Sequence, residues 1–389
     1  MENRVYLDYA ATTPLNTEVY KEMLRCFSSC NGNSSSLHSF GREASGELES
    51  ARATIAKTIN AKPNEIYFTS CGTESNNWAI FGLARANKEK GNHIIVSSIE
   101  HHSILESCKQ LEKEGFQISY IPITKEGVIN YKELVKLIRP ETILISVMTV
   151  NNELGTIQPI KAIGQLAKSY NILFHTDAVQ ALGSIKLDVE DMGIDALSIS
   201  AHKIYGPKGV ACLYIKNGTK IEKLIYGGEQ ERNMRAGTVN VPACVGFAKA
   251  CEIHTNNFDA DSKHIAGIKR YFEKQLASKI KNIQANGKLA KTVNNIINID
   301  FRNVDGEAVL MLLDLAGVAV STGSACVAGV AGGSHVISAL DKKRVKSSVR
   351  FSFSYLTTKE EIDYTVDQLA KIVANLRQLS PVKAKKEVK

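Results

Sequence analysis

No apolar stretch in this 389-residue chain approaches the roughly 18 residues of a membrane-spanning helix, so a span is not expected. The opening segment MENRVYLDYAATTP lacks the apolar core of a secretory signal. It reads as charge followed by a short strand, and a cytoplasmic protein is the expectation. The cysteines lack a framework: eight of them, at 26, 30, 71, 108, 212, 244, 251 and 326, follow no regular spacing. That argues against a disulfide scaffold and predicts free thiols in a reducing compartment. In CFSSC, Cys26 and Cys30 share one helix face, but the two further ligands a metal would need do not accompany them. Internal repeats and low-complexity linkers are absent. Strong charge bias is absent as well. The net charge is +8, and SPVKAKKEVK at the C-terminus supplies +3 of it. That tail reads as a solvated end, and the rest is too mildly basic for a nucleic-acid footprint, so direct nucleic-acid binding is not expected.

What remains is an ordinary globular composition, 44% hydrophobic and 23% charged, at a length that suits one large domain with a smaller one beside it. From about 64 to 216, short β-rich runs alternate with helical patterns. EIYFTS, HIIVSS, ISYIPI, ILISVMTV, NILFHTD, ALSISA and VACLYI read as strands, with helices such as TESNNWAIFGLARANKEK and KAIGQLAKSY between several of them. Nearly continuous apolar strands in that alternation predict a largely parallel sheet covered on both faces. Ligands of such sheets bind beyond the C-terminal strand ends. After about 260 the pattern changes to a long helix, the strand NNIINIDF, the helix GEAVLMLLDLAG, a Gly/Ala run, the strand SVRFSFS and a last long helix, which reads as a compact α+β unit.

The polar residues at the strand ends carry the chemistry. FHTDAVQ sets Asp177 where one strand runs out, and SISAHKIYGPKG sets Lys203 just past the next. Singly, Asp177 could cap a helix and Lys203 could lie on the surface. Together they suit pyridoxal phosphate: a lysine to form its Schiff base and a carboxylate to keep the pyridine nitrogen protonated. In TSCGTESNNW a strand, a Gly turn and a helix start offer Thr73 and backbone N–H groups to a phosphate, with Ser200 and His202 beside the lysine as further donors.

The ordered strings YLDYAATTP, NSSSLHSFGRE, TSCGTESNN, EHHS, NNELGTIQP, FHTDAVQALG, SAHKIYGPKG, GGEQERNMRAGTVNVP, STGSAC and VRFSFSYLTTKEEID run from residue 5 to about 370. In this series the chain resembles the NifS/IscS-type cysteine desulfurases of the class-V aminotransferases. The resemblance implies an α/β fold-type-I transferase, homodimeric, with a mostly parallel seven-stranded sheet in a large domain over 16–260. A smaller α+β domain would comprise 1–15 and 261–389 and carry a cysteine loop at about 321–336. It implies Lys203 as Schiff-base lysine and base, and His101 as the ring-stacking histidine that assists proton transfer. Asp177 would sit at the pyridine nitrogen and Gln180 at the phenolic oxygen. Gly72, Thr73, Ser200 and His202 would take the phosphate, joined by Thr238 from the other subunit. Asn152 and Arg350 would hold the substrate carboxylate, with Asn33 as a weaker candidate; a guanidinium fork suits a carboxylate.

The resemblance also gives a reason for a thiol in GSACVAGVAGG. Cys326 would take the sulfur of L-cysteine as a persulfide, leave L-alanine, and pass the sulfur to an acceptor such as an IscU/NifU-type Fe–S scaffold. His102 is read as a structural or exposed neighbour, and His335 as a solvated loop residue. Another fold-type-I enzyme, a selenocysteine lyase or an aminotransferase, would share Lys203 and Asp177 but would not explain Cys326. The chain departs from the family pattern at Glu229 and Asn233, where glycine is usual, and at Ser34 and Gly333, where proline is usual.

Overall fold

The apolar runs form one seven-stranded sheet in the order Ile66–Thr69, Ala211–Ile215, Ala196–Ser200, Leu173–Asp177, Thr142–Ser146, His93–Ser97 and Gln117–Ile121. The computed structural model describes residues 4–287, 290–322 and 333–379. Ala211–Ile215 pairs antiparallel with both neighbours, and the remaining pairs are parallel. Every residue of His93–Ser97, Thr142–Ser146, Ala196–Ser200 and Ala211–Ile215 is buried. This is why these strands show no alternation of polar and apolar residues. Gln117–Ile121 lies at the edge and exposes Gln117 and Tyr120.

The strand order sets up the site. His93–Ser97 has Gln117–Ile121 on one side and Thr142–Ser146 on the other, so successive connections leave in opposite directions and open a crevice at the C-terminal strand ends. The segments that follow His93–Ser97, Thr142–Ser146, Leu173–Asp177 and Ala196–Ser200 all emerge at that end. The fold class expected from the sequence, α/β of fold type I with a mostly parallel seven-stranded sheet, is the one observed.

A second layer lies downstream. Ser348–Ser352, Ile296–Phe301 and Ile283–Asn286 make a three-stranded antiparallel sheet, in that order. Helices Gly306–Leu315 and Lys359–Leu379 accompany it, and Phe272, Phe301, Phe351, Val309 and Leu369 share one hydrophobic cluster. The N-terminal Val5–Tyr6 pairs parallel with Val318–Ala319, and Val5 and Leu7 join the same cluster. Near residue 260 the sequence pattern changes within a single helix of 39 residues, Val241–Lys279. It gives Cys244, Phe247 and Cys251 to the core beneath the large sheet, and Ile268, Phe272 and Leu276 to the second core.

Candidate active site

Two adjacent strands deliver the central pair. Leu173–Asp177 is half-buried at Leu173 and buried from Phe174 to its end at Asp177, whose Oδ1 accepts the Val179 N–H at 2.9 Å and whose Oδ2 accepts from Asn76 Nδ2 at 2.6 Å. Ala196–Ser200 runs into a single tight turn, Ala201–Lys203, which lifts Lys203 over the sheet end. Its Nζ donates to the carbonyls of Ala10 at 2.5 Å and Ala11 at 2.8 Å. Gln180 Nε2 donates to the same Ala10 carbonyl at 2.7 Å. Lys203, Asp177 and Gln180 line one cavity of about 300 Å³ together with Gly72, Thr73, Asn76, His101, Asn152, His202 and Arg350.

The helix Gly72–Ala86 begins at that cavity. Its first N–H groups have no acceptor within the helix and its dipole favours an anion there. Glycine at 72 is a packing requirement, since a Cβ would lie 2.8 Å from Val179 Cγ2. Thr73 follows at the mouth, and Glu74 turns away to pair with Arg235 at 2.8 Å. Ser200 is buried beside Gly72 but does not line the cavity. His202 does line it, with Nδ1 3.1 Å from Thr12 Oγ1. Burial, reinforced by Lys203 and Lys208, pushes its pKa down to about 4, so it is a neutral ring in the physiological range.

On the opposite wall His101 caps the helix His102–Lys113. Its Nδ1 accepts the Ser103 N–H at 3.1 Å and lies 2.8 Å from Ser103 Oγ. Burial lowers its pKa, Lys203 and His102 push the same way, and Asp177 opposes them. Arg350 stands on Ser348–Ser352, 2% exposed. Its two terminal nitrogens donate to Asp8 Oδ1 and the Asn152 carbonyl, each at 2.8 Å. Its buried Nε–H has no hydrogen-bond partner among the described residues. An unanswered donor on a buried cation is costly.

Several residues that matter here escaped sequence reasoning. Asn76 and Asp8 lie inside the quoted strings TSCGTESNN and YLDYAATTP, yet nothing in their spacing says that one holds Asp177 and the other Arg350. Glu153 lines the cavity, accepts from Ser334 Oγ at 2.5 Å, and is held protonation-prone by burial. His102 and His335 also line the cavity, with ring centroids 4.9 Å apart and His335 Nε2 2.9 Å from the Glu100 carbonyl. The reading of His335 as a solvated loop residue is therefore corrected, because it opens the helix His335–Leu340 and packs on His102.

Besides Ser200, two expected site residues lie outside the lining of their own chain's cavity. Asn33 is exposed and its side chain accepts the Ser35 N–H at 3.0 Å. Thr238 is exposed and likewise outside the lining. Cys326 lies outside the described residues. Glu231, Arg232 and Asn233 all adopt positive φ, between 48° and 61°. Glu231, inside this run, is held by two 2.7 Å bonds from the buried Arg52. At Gly333, φ is +67° and a Cβ would meet Val345 Cγ1 at 2.3 Å, so glycine fits where proline could not. The thiols of CFSSC are half-buried at Cys30 and buried at Cys26, whose pKa burial raises to about 12. No metal-binding cluster occurs among the described residues, and no described helix is long and apolar enough to cross a membrane.

Residues 5–365 match the family model for aminotransferase class-V, and the chain belongs to that family. Within it the chain falls among the cysteine desulfurases. It is 49% identical over 385 residues to the cysteine desulfurase IscS of Dictyoglomus turgidum, covering 98% of each sequence. A solved NifS-like protein superposes with a TM-score of 0.90 at 36% identity, covering 96% of this chain and 100% of that one. The structure of SspA in complex with cysteine gives 0.81 at 36% identity, over 91% and 100%.

Proposed function

We propose that the protein is a pyridoxal-phosphate-dependent cysteine desulfurase that converts L-cysteine to L-alanine and takes the sulfur onto Cys326. The observation that carries this reading is the placement of Lys203 and Asp177 at the ends of adjacent strands, lining one cavity with a helix N-terminus in its wall. The donor set fits the cofactor: an amine for its aldehyde at Lys203, a carboxylate for its ring nitrogen at Asp177, and an amide donor for its phenolic oxygen at Gln180. Thr73, His202 and the first N–H groups of Gly72–Ala86 suit its phosphate, and the bare Gly72 lets it approach the backbone. Bound there, pyridoxal phosphate supplies an electron sink for charge developing at the substrate Cα.

The chain's own residues do the rest. Arg350 and Asn152 hold the substrate carboxylate, with the Nε–H of Arg350 as the donor in reserve. Lys203 Nζ moves the proton at Cα. The Cys326 thiolate attacks the substrate sulfur, the Cβ–S bond breaks, and Cβ takes up a proton. L-cysteine plus the thiol thereby become L-alanine plus the Cys326 persulfide, with no external oxidant or reductant. We also propose the division into 16–260 and 1–15 with 261–389, a homodimer in which Thr238 serves the pocket of a second copy, a cytoplasmic setting, and an Fe–S scaffold of the IscU/NifU type as sulfur acceptor. The test is to supply cofactor, L-cysteine and a reductant and to quantify alanine and sulfide. Equal amounts from the native chain and none from Lys203→Ala support the reading; alanine from Lys203→Ala overturns it.

A further inference from the structure

Four side chains beside the cavity form a hydrogen-bonded row whose protons can be assigned one by one. Asp177 Oδ2 is 2.6 Å from the Asn76 amide, and an ionised carboxylate only accepts, so the Asn76 atom facing it is Nδ2. The other Nδ2 proton goes to Ser103 Oγ at 2.9 Å, which makes that oxygen an acceptor toward Asn76. Ser103 Oγ lies 2.8 Å from His101 Nδ1, and the Ser103 backbone N–H also reaches Nδ1 at 3.1 Å. A backbone N–H is always a donor, so Nδ1 carries a lone pair, and the Ser103 hydroxyl proton is directed to it as well. In a neutral imidazole the one ring proton then sits on Nε2. The orientation of Asn76 leaves its buried Oδ1 without a partner, a cost borne by the residue that links Asp177 to His101.

We infer that Asn76 and Ser103 are positioning residues that fix His101 as its Nε2–H tautomer, so that this ring meets the cavity as a neutral hydrogen-bond donor and not as a base. Nδ1 is occupied by two donors from the helix start, and Nε2 already holds a proton, so neither nitrogen can accept from the substrate without breaking the row. Proton removal is then left to Lys203, and His101 is confined to donating a hydrogen bond through Nε2–H. The inference rests on the catalytic reading for its meaning, since it supposes that substrate and cofactor occupy the cavity that His101 lines.

The surroundings agree with a neutral ring. His101 sits at the N-terminus of His102–Lys113, where the helix dipole disfavours a cation. Facing it are Lys203 and His102, which oppose a positive charge, Asp177, which favours one, and His335, which interacts with it from the neighbouring helix start. Burial outweighs Asp177 and lowers the affinity for a second proton.

The test reads the ring directly. In holoenzyme labelled with ¹⁵N-histidine, long-range ¹H–¹⁵N correlation identifies the tautomer of His101, assigned by comparison with His101→Gln. The expected result is an unprotonated Nδ1 and a protonated Nε2 at pH 7; a protonated Nδ1, in either the neutral or the cationic form, overturns the inference. In Ser103→Ala the loss of one donor to Nδ1 should raise the His101 titration by about half to one pH unit, and Ser103→Thr, which restores the hydroxyl, should return it. An unmoved titration in Ser103→Ala removes Ser103 from the device. Asn76→Ala should shift it the same way, because Ser103 then loses the donor that orients it, and no shift there removes Asn76. Because the readout is the imidazole itself, a chain that makes no alanine yet keeps Nε2–H refutes the desulfurase reading and leaves this assignment standing.

Discussion

Replacing Arg350 with glutamine isolates the role of its guanidinium. In the native structure the side chain is buried, paired with Asp8 at 2.8 Å and bonded to the Asn152 carbonyl, with Nε–H unanswered. A substrate carboxylate arriving there would complete a buried, charge-assisted pair. Truncating one partner of such a pair costs about 2–5 kcal/mol. At about 1.4 kcal/mol per tenfold, kcat/KM for L-cysteine should fall by about 30-fold to about 4,000-fold. The assay is the initial rate of alanine formation, run beside product formation from cysteamine, which has the same thiol and amine but no carboxylate. Arg350→Gln should lose most of its preference for cysteine over cysteamine. Asp8→Asn is the control for fold disturbance, because it breaks the ion pair and leaves the guanidinium, and it should lose far less discrimination. A folded Arg350→Gln chain whose kcat/KM for cysteine stays within about threefold of native, where a loss of at least about 2 kcal/mol was expected, would refute the placement of the carboxylate.

Other outcomes follow from separate parts of the fold. Asp177→Asn should lower alanine formation by about a hundredfold or more, because an amide cannot hold a protonated ring nitrogen; native activity in the Asp177→Asn chain would contradict that role. Burial holds His175 down at about 3. An unfolded chain binds that proton from about pH 6.5 downward, so the stability His175 contributes is full above 6.5 and is lost as pH falls toward 3. His175→Gln should flatten urea-unfolding stability between pH 6 and 4 by about 1.4 kcal/mol per pH unit, and an unchanged slope would refute the account. Gly333→Pro should destabilise the chain by at least about 1–3 kcal/mol, since proline cannot adopt φ +67° and Val345 occupies the space a Cβ needs. A stabilised Gly333→Pro chain would show that the local backbone was misread.

Much of this architecture is legible in the sequence because buried parallel strands leave uninterrupted apolar runs. HIIVSS, ILISVMTV and ALSISA all form strands at the expected positions, Asp177 closes the strand Leu173–Asp177, and Lys203 lies three residues past Ala196–Ser200. Two-residue pairings such as Val5–Tyr6 with Val318–Ala319 are too short to show a period. The helix Val241–Lys279 hides a change of core because its period continues while its buried face passes from one cluster to the other. Pairings across the chain are not legible either. Asp8 meets Arg350 from 342 positions away, and Asn76 meets Asp177 from 101; only the fold brings them together. The left-handed run at Glu231–Asn233 is hidden for a further reason, since the buried ion pair with Arg52 stabilises a conformation that local propensity disfavours.

The central claim is that sulfur leaves L-cysteine onto Cys326. A single turnover of holoenzyme with L-cysteine, quenched and analysed by mass spectrometry of the peptide that contains Cys326, tests it most directly. The account predicts one added sulfur atom on Cys326, matched by an equal amount of alanine, and neither product from Cys326→Ser. Alanine formed at the native rate by Cys326→Ser, or the added sulfur found on another cysteine such as Cys71 at the cavity wall, would contradict it.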